Sequence, residues 1–190
     1  VIAWLALTTL VILFLYTGSL LIPVKAFLLN LLSLSAALGV VVWVFQDGRL
    51  TWLTGDYTVT GNVDITTLVI VGVTAFALSM DYELFILSRI TEEHAAGRGT
   101  TDAVAFGLQR TGRIITAAAL LIAIIFAAFL TSGATNIMQL GLGVSVAILL
   151  DATVVRALLV PAFMRIAGNA NWWAPSWLRK VHQRVGLQEG

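Results

Sequence analysis

The chain has 190 residues, of which 59% are hydrophobic and only 11% are charged. Soluble domains are about 45–50% apolar and about 25% charged, so this composition excludes a water-soluble enzyme, a disordered tail and a secreted disulfide scaffold. The sequence has no cysteine, which excludes a cysteine-ligated metal site, and its net charge of +1 is too small to indicate a nucleic-acid partner.

Five apolar stretches are long enough, or nearly so, to cross a bilayer, which takes about 20 residues. They cover residues 1–22, 26–45, 65–90, 114–131 and 137–164. The sequence therefore predicts an all-α fold, a polytopic membrane helix bundle with about five transmembrane helices. The chain begins inside the first stretch without a methionine or a basic leader. We therefore expect it to be the C-terminal part of something larger, not a protein that starts with a signal peptide.

Short polar connectors separate the apolar stretches. The first is marked by Gly18, Pro23 and Lys25, and the others cover residues 46–64, 91–113 and 131–136. The 91–113 connector is expected to contain a surface helix, because Thr101 and Asp102 form a typical N-cap before an apolar run. The two histidines, His94 and His182, lie in separate polar stretches, so no histidine-rich metal site is expected.

Cations are distributed unequally between the two sides of the predicted bundle. One side has nine of them, namely Lys25, Arg89, Arg98, Arg110, Arg113, Arg165, Arg179, Lys180 and Arg184, and the other side has only Arg49. Because basic loops stay in the cytoplasm, we expect the C-terminus to be cytoplasmic. Residue 1 and the connectors at 46–64 and 131–136 are then expected to face outward.

Residues 169–190 form a polar tail that carries Trp172, Trp173 and Trp177 before a run of cations. Tryptophan at the end of a span, followed by cations, is typical of an interfacial anchor. The tail is predicted to form a short amphipathic helix that starts near Pro175 and lies along the cytoplasmic membrane surface. A partner-binding site is the alternative interpretation of the tryptophans.

The third and fifth predicted spans contain charged residues. Such residues cost about 2.5–3.5 kcal/mol near the middle of a bilayer and usually mark a function or a structural pair. The third span has Asp81, Tyr82 and Glu83, and the fifth has Asp151 and Arg156. Asp81 and Arg156 lie at depths that agree within a few ångströms, so Arg156 is a candidate counter-ion for Asp81. Asp151 is a poorer partner for Arg156, because five residues of an α-helix turn through about 140°.

Polar side chains recur every seven residues in the third span, at Thr67, Thr74, Asp81 and Ser88. They drift by only about 20° per step and therefore form one polar stripe along one face of the helix. A line of hydroxyl groups leading to a carboxyl group is what a water-fed proton path needs. The alternative is that the hydroxyl groups bond to their own helix and Asp81 belongs to a structural pair.

Four segments of the chain resemble the MmpL family of RND transporters, in the same order and spacing. They are the Asp81-Tyr82 segment at residues 79–89, the segment 112–119 after the long connector, the segment 149–156 with Pro161, and the closing Asn171-Trp172-Trp173. The resemblance covers nearly the whole chain. It implies the last five spans of such a transporter, after its second extracytoplasmic domain.

The resemblance implies a proton-driven exporter of lipids or other hydrophobic compounds in the bacterial inner membrane. In that family an Asp-Tyr pair on this span faces an equivalent pair in the first half, which implies that Asp81 and Tyr82 relay protons. Thr67, Thr74, Ser88, Asp151 and Arg156 are the supporting polar and counter-ion candidates. The implied partners are the bilayer, the N-terminal half with its extracytoplasmic domains and a lipid substrate. An oligomer is compatible with them, and a proton gradient takes the place of a cofactor.

Two other functions are considered. One is a regulatory or translocase-associated RND relative that does not transport, which would lack the matching Asp-Tyr pair upstream. The other is an intramembrane aspartyl protease with Asp81 and Asp151 as a dyad sharing one proton. Against the protease, the two carboxyl groups differ in predicted depth by about 5 Å. In addition, the Gly-x-Gly-Asp signature of such proteases is absent, since Gly143 is followed by Val144.

Overall fold

The computed structural model describes residues 2–48 and 64–185, and within them it contains helices and no strand. The helices are α1 (Ile2–Thr17), α2 (Leu21–Phe45), α3 (Ile65–Ala95), α4 (Thr100–Ala127), α5 (Thr135–Leu150), α6 (Val160–Ala167) and α7 (Ser176–Val185). A π-helix at Asp151–Leu159 joins α5 to α6, and short 3-10 turns follow α4 and α6. The predicted all-α class is confirmed. Arg49 and most of the predicted outer connector lie outside the described residues.

Four helices in the described part of the chain are long and apolar enough to cross a membrane. They are Leu21–Phe45, Ile65–Ala95, Thr100–Thr131 and Thr135–Trp172. These four correspond to the second to fifth predicted spans. The first predicted span contains α1, which has 16 residues and is shorter than the roughly 20 residues that a full crossing takes.

The turn between α1 and α2 comes earlier than the apolar pattern predicts. Gly18 has a φ of +64°, a conformation that glycine adopts without strain, and this residue ends α1. The Ser19 hydroxyl oxygen then caps α2 by accepting hydrogen bonds from the amides of Leu21 and Ile22 at 3.2 and 3.4 Å. Pro23 lies in the first turn of α2, where its missing amide hydrogen costs nothing, and not in the connector.

The 91–113 connector is also shorter than predicted. The expected surface helix and the fourth span form one continuous helix, α4, which begins at Thr100. No proline interrupts this stretch, and the Thr111 hydroxyl donates a hydrogen bond to the Gly107 carbonyl at 2.8 Å, within the same helix. Polarity changes along α4 while its backbone geometry does not. The change of polarity therefore marks the boundary between the polar and the apolar part of α4, and it does not mark the end of a helix.

The described residues form two compact units. The first is drawn from Val1–Leu29, Met80–Arg113 and Arg156–Gly190, and the second from Asn30–Ser79 and Ile114–Val155. The core of the second unit consists of aliphatic and small side chains that are almost fully buried, namely Ala37, Val41, Val44, Val71, Ala75, Ala119, Met138, Val144, Ala147 and Ile148.

Small residues allow the helices of the second unit to approach closely. A Cβ atom on Gly143 would lie 2.6 Å from Val71 Cγ1 and 3.0 Å from Val41 Cγ2, so no other residue fits there without a shift. The Ser145 hydroxyl donates a hydrogen bond to the Ala123 carbonyl at 2.9 Å. Small residues and hydroxyl groups of this kind hold membrane helices together where no hydrophobic effect operates between them.

In the first unit, the segment after α6 is bound to the α1–α2 turn. The Ser19 hydroxyl donates a short hydrogen bond to the Asn171 carbonyl. Asn171 is completely buried, and its Nδ2 donates to the carbonyls of Met164 and Gly168, both at 2.7 Å. These bonds tie Asn171 to the end of α6, where the Met164 carbonyl also accepts a hydrogen bond from the Gly168 amide.

The tail contains the predicted helix. α7 begins at Ser176, directly after Pro175, and ends at Val185. Trp173 and Trp177 expose 57% and 65% of their surface, as residues at a membrane interface would. The position of the tail at the membrane surface stays a prediction.

Candidate functional site

Three consecutive residues in α3 combine charge and polarity within an apolar helix. Successive residues of an α-helix point about 100° apart, so Asp81, Tyr82 and Glu83 face three directions. Asp81 is exposed, Tyr82 is half-buried and Glu83 exposes only 5% of its surface. The two carboxyl groups therefore have opposite surroundings, although they are separated by one residue.

Tyr82 is held by a cation. The guanidinium carbon of Arg156 lies 5.4 Å from the centre of the Tyr82 ring, within the range of a cation–π interaction, and Arg156 exposes only 3% of its surface. The structure thus places Arg156 against the neighbour of Asp81. A direct pair between Arg156 and Asp81 stays a prediction.

The cation is supplied by the π-helix that joins α5 to α6. Its first residue, Asp151, is buried, and Arg156 lies five residues further on. A π-helix bonds residues that are five apart, so the predicted separation of about 140° between these two positions, which assumed an α-helix, is wrong. Pro161 follows the π-helix and cannot donate to the carbonyl four residues earlier, which favours wider turns before it. Such π segments are frequent at functional sites.

A second cation, Lys25 of α2, interacts with α3. The Lys25 ammonium group is buried, makes no hydrogen bond within the described residues and interacts electrostatically with Glu83. The apolar pattern predicts Lys25 in a connector, because Pro23 is typical of a turn. The proline is instead the third residue of α2, and Lys25 follows inside the helix. Ionisable residues at such positions are functional candidates by default.

The hydroxyl groups of the polar stripe have local partners at both ends of α3. The Thr67 amide and hydroxyl donate to the Asp64 carboxylate at 3.1 and 3.3 Å, which caps the helix. The Ser88 hydroxyl donates to the Phe85 carbonyl at 2.9 Å. These bonds favour the structural interpretation for Thr67 and for Ser88, whose single hydroxyl hydrogen is donated to its own helix. Thr74 is half-buried, and a continuous path along the stripe stays a prediction.

Together these residues can bind and release protons. Asp81 and Glu83 supply carboxyl groups, Tyr82 supplies a phenol that donates and accepts, and Lys25 and Arg156 supply the compensating charges. No group of three or more histidine, cysteine, aspartate or glutamate side chains suited to a metal ion occurs in residues 2–48 and 64–185. Carboxyl and phenol groups of this kind can exchange protons with water and with one another.

Comparison with known proteins gives a match to the family model described as the MMPL family, over residues 1–186. A membrane protein of Streptomyces coelicolor is 50% identical over 190 residues, which cover 98% of this chain and 27% of that protein. The trehalose monomycolate exporter MmpL3 of Mycobacterium tuberculosis is 43% identical over 96% of this chain. The mycolic acid-containing lipids exporter MmpL11 of Mycolicibacterium smegmatis is 40% identical over the whole chain.

The chain spans about a quarter of the Streptomyces protein and about a fifth of the two mycobacterial exporters. The matched part contains all the candidate site residues, from Lys25 to Arg156. The four segments on which the resemblance was based lie within it as well.

Proposed function

Because the chain belongs to the MMPL family, we propose that it forms the C-terminal membrane part of a proton-driven exporter of lipids or other hydrophobic compounds. The names of MmpL3 and MmpL11 describe the export of trehalose monomycolate and of mycolic acid-containing lipids by those proteins. The bundle of apolar helices described above fits this role. In this proposal the protein is not an enzyme, and it works in the bacterial inner membrane with its C-terminus in the cytoplasm.

The Asp81-Tyr82 pair carries the proton coupling. Asp81 binds and releases the proton, and Tyr82, the adjacent residue, supplies a hydroxyl group that can donate or accept along the relay. The observation that supports this assignment is the contact between Arg156 and the ring of Tyr82, the residue that follows the exposed Asp81. The driving force is the membrane potential, about 2.3 kcal/mol per charge per 100 mV, together with the pH gradient.

The exposure of Asp81 indicates where the rest of the transporter binds. A carboxylate that faces lipid near mid-bilayer costs about 2.5–3.5 kcal/mol, so this face of α3 does not face lipid in the complete protein. A span of the N-terminal half, with its own Asp-Tyr pair, is the proposed neighbour. A regulatory relative that does not transport would lack that matching pair.

The assignment is tested by Asp81→Asn in the complete transporter. Asparagine keeps the shape and most hydrogen bonds but cannot bind and release the proton, so export should stop while the protein remains in the membrane in normal amounts. Tyr82→Phe keeps the ring under Arg156 and removes only the hydroxyl, so export should be reduced. Export by cells and the amount of folded protein in their membranes are the measurements.

Asp102→Asn is the matched control, because Asp102 is an exposed carboxylate in the first turn of α4. This variant should export normally. If Asp81 only pairs with Arg156, the double variant Asp81→Asn and Arg156→Gln should regain both stability and export. That result, or normal export by Asp81→Asn alone, would remove Asp81 from the mechanism.

A further inference from the structure

Both histidines of the chain line the same cavity in the first compact unit. The cavity has a volume of about 650 Å³. Its titratable or charged lining residues come from three helices: Tyr16 of α1, Arg89, Glu92 and His94 of α3, and His182 of α7. The two histidines are 88 positions apart in sequence, so tertiary structure brings them together. Histidine is the side chain that ordinarily exchanges protons between pH 5 and 8.

His94 is held in one orientation. Its ring is stacked on Trp172 with the ring centres 3.9 Å apart and the planes 6° from parallel. Trp172 in turn donates a hydrogen bond from its indole nitrogen to the Thr100 hydroxyl at 3.1 Å. His94 Nδ1 lies 3.0 Å from the Arg98 carbonyl oxygen. Because a carbonyl only accepts, Nδ1 carries the hydrogen, and Nε2 is left with the lone pair that can take up a proton.

His182 reaches the cavity from the tail. Its ring packs edge-on against Phe14, with 6.2 Å between the ring centres. A Cβ atom on Gly18 would lie 2.9 Å from the His182 ring, so glycine at that turn leaves room for the imidazole. The tail helix is thereby tied to the end of α1 through the side chain that lines the cavity.

The cavity lies at the end of the polar stripe of α3. Ser88, the last residue of the stripe, lines the cavity, and it is seven residues, or about 10 Å along the helix, from Asp81. Arg89, the residue after Ser88, and Glu92, about one turn further on, form an ion pair at 2.6 Å and keep this wall polar. The charge distribution assigns this end of α3 to the cytoplasm.

We propose that this cavity is the exit through which protons from Asp81 leave the protein, with His94 and His182 as the groups that receive them. The Asp81 carboxylic acid gives its proton through water to an imidazole nitrogen. That step leaves a carboxylate and an imidazolium, and the imidazolium then gives the proton to water in the cytoplasm. This inference rests on the proposed role of Asp81 and adds the site of release.

The test uses the complete transporter in vesicles made from lipids of the producing membrane, with a pH-sensitive dye inside. An imposed potential drives protons through the protein, and their flux is measured. The double variant His94→Gln and His182→Gln should slow the flux by about tenfold or more, because positioned proton acceptors speed such transfers strongly. Imidazole added to the solution should restore the flux, since a diffusible base can take the place of the side chains.

Two controls separate proton transfer from structural effects. The 1,3-dimethylimidazolium ion has the charge of imidazolium but carries no proton, so it should not restore the flux. Arg165→Gln removes an exposed cation of α6 that does not line the cavity, and it should leave the flux unchanged.

The outcomes distinguish this inference from the proposed function. Two results together support the exit site and the proposed function. Asp81→Asn should lose the flux and not regain it with imidazole, whereas imidazole should restore the flux of the histidine variant. Normal flux in the histidine variant, or a loss that imidazole cannot restore, overturns the exit site while Asp81 keeps its role. Normal flux in Asp81→Asn overturns the proposed function itself.

Discussion

Lys25 and Glu83 show how much one misplaced turn changes the interpretation of single residues. Asp81 and Tyr82 were identified from the sequence, because charge in an apolar span is conspicuous and the resemblance names the pair. Lys25 was counted as a connector cation, and Glu83 was given no partner. The structure shows that the Lys25 ammonium group and Glu83 are both buried and that they interact electrostatically. A sequence pattern gives the depth of a residue along a helix but not which neighbouring helix it meets.

We predict that replacing either of these two residues alone destabilises the protein. Lys25→Met or Glu83→Gln removes one charge of the electrostatic interaction between two buried groups, which should lower the free energy of unfolding by about 3 kcal/mol. The double variant should recover most of this loss, because both charges of the interaction are then absent. Thermal unfolding of the purified transporter measures the effect.

Glu92→Gln is the matched control for Glu83→Gln on the same helix. The Glu92 side chain is 57% exposed and pairs with Arg89 at the surface, so its loss should change stability by at most about 1 kcal/mol. Equal effects of the two glutamate variants, or a double variant as unstable as either single one, would contradict the pair.

At the scale of elements, the apolar pattern predicted the helices well and their ends poorly. α2 and α5 begin within five residues of the predicted spans, whereas α4 begins 14 residues before its predicted span. Hydropathy reports where a helix meets lipid, and capping and glycine geometry decide where it ends. The π-helix has no signal in the hydropathy, and Pro161 is its one clue in the sequence.

The π-helix gives a prediction for Pro161→Ala. Alanine restores an amide donor to the carbonyl four residues earlier, so the wide turns should shorten towards an α-helix. Arg156 would then rotate away from the Tyr82 ring, and export should fall although the protein is no less stable. Export and unfolding temperature are measured together.

Pro175→Ala removes a proline outside the π-helix, directly before α7, and should leave the Tyr82 contact intact. Its export should therefore exceed that of Pro161→Ala. Full export by Pro161→Ala would show that the π-helix does not position Arg156 for function.

For the whole molecule, the orientation in the membrane is the principal prediction. Single cysteines can be placed at Asn136 and Ala96, both exposed, in a transporter without other cysteines. The first is the last residue of the 131–136 connector, in the first turn of α5, and the second lies just beyond α3. A membrane-impermeant thiol reagent should label Asn136→Cys in intact cells and Ala96→Cys only after permeabilisation. The reverse pattern would invert the topology derived from the cations.

The electrostatic interaction between Lys25 and Glu83 also has a consequence for biogenesis. The two residues lie on consecutive helices, α2 and α3, so the ribosome delivers them one after the other. Each charge alone raises the cost of leaving the translocon for lipid, whereas a hairpin of both helices enters with the opposite charges together. The order of synthesis thus favours joint insertion of α2 and α3, before α4 emerges.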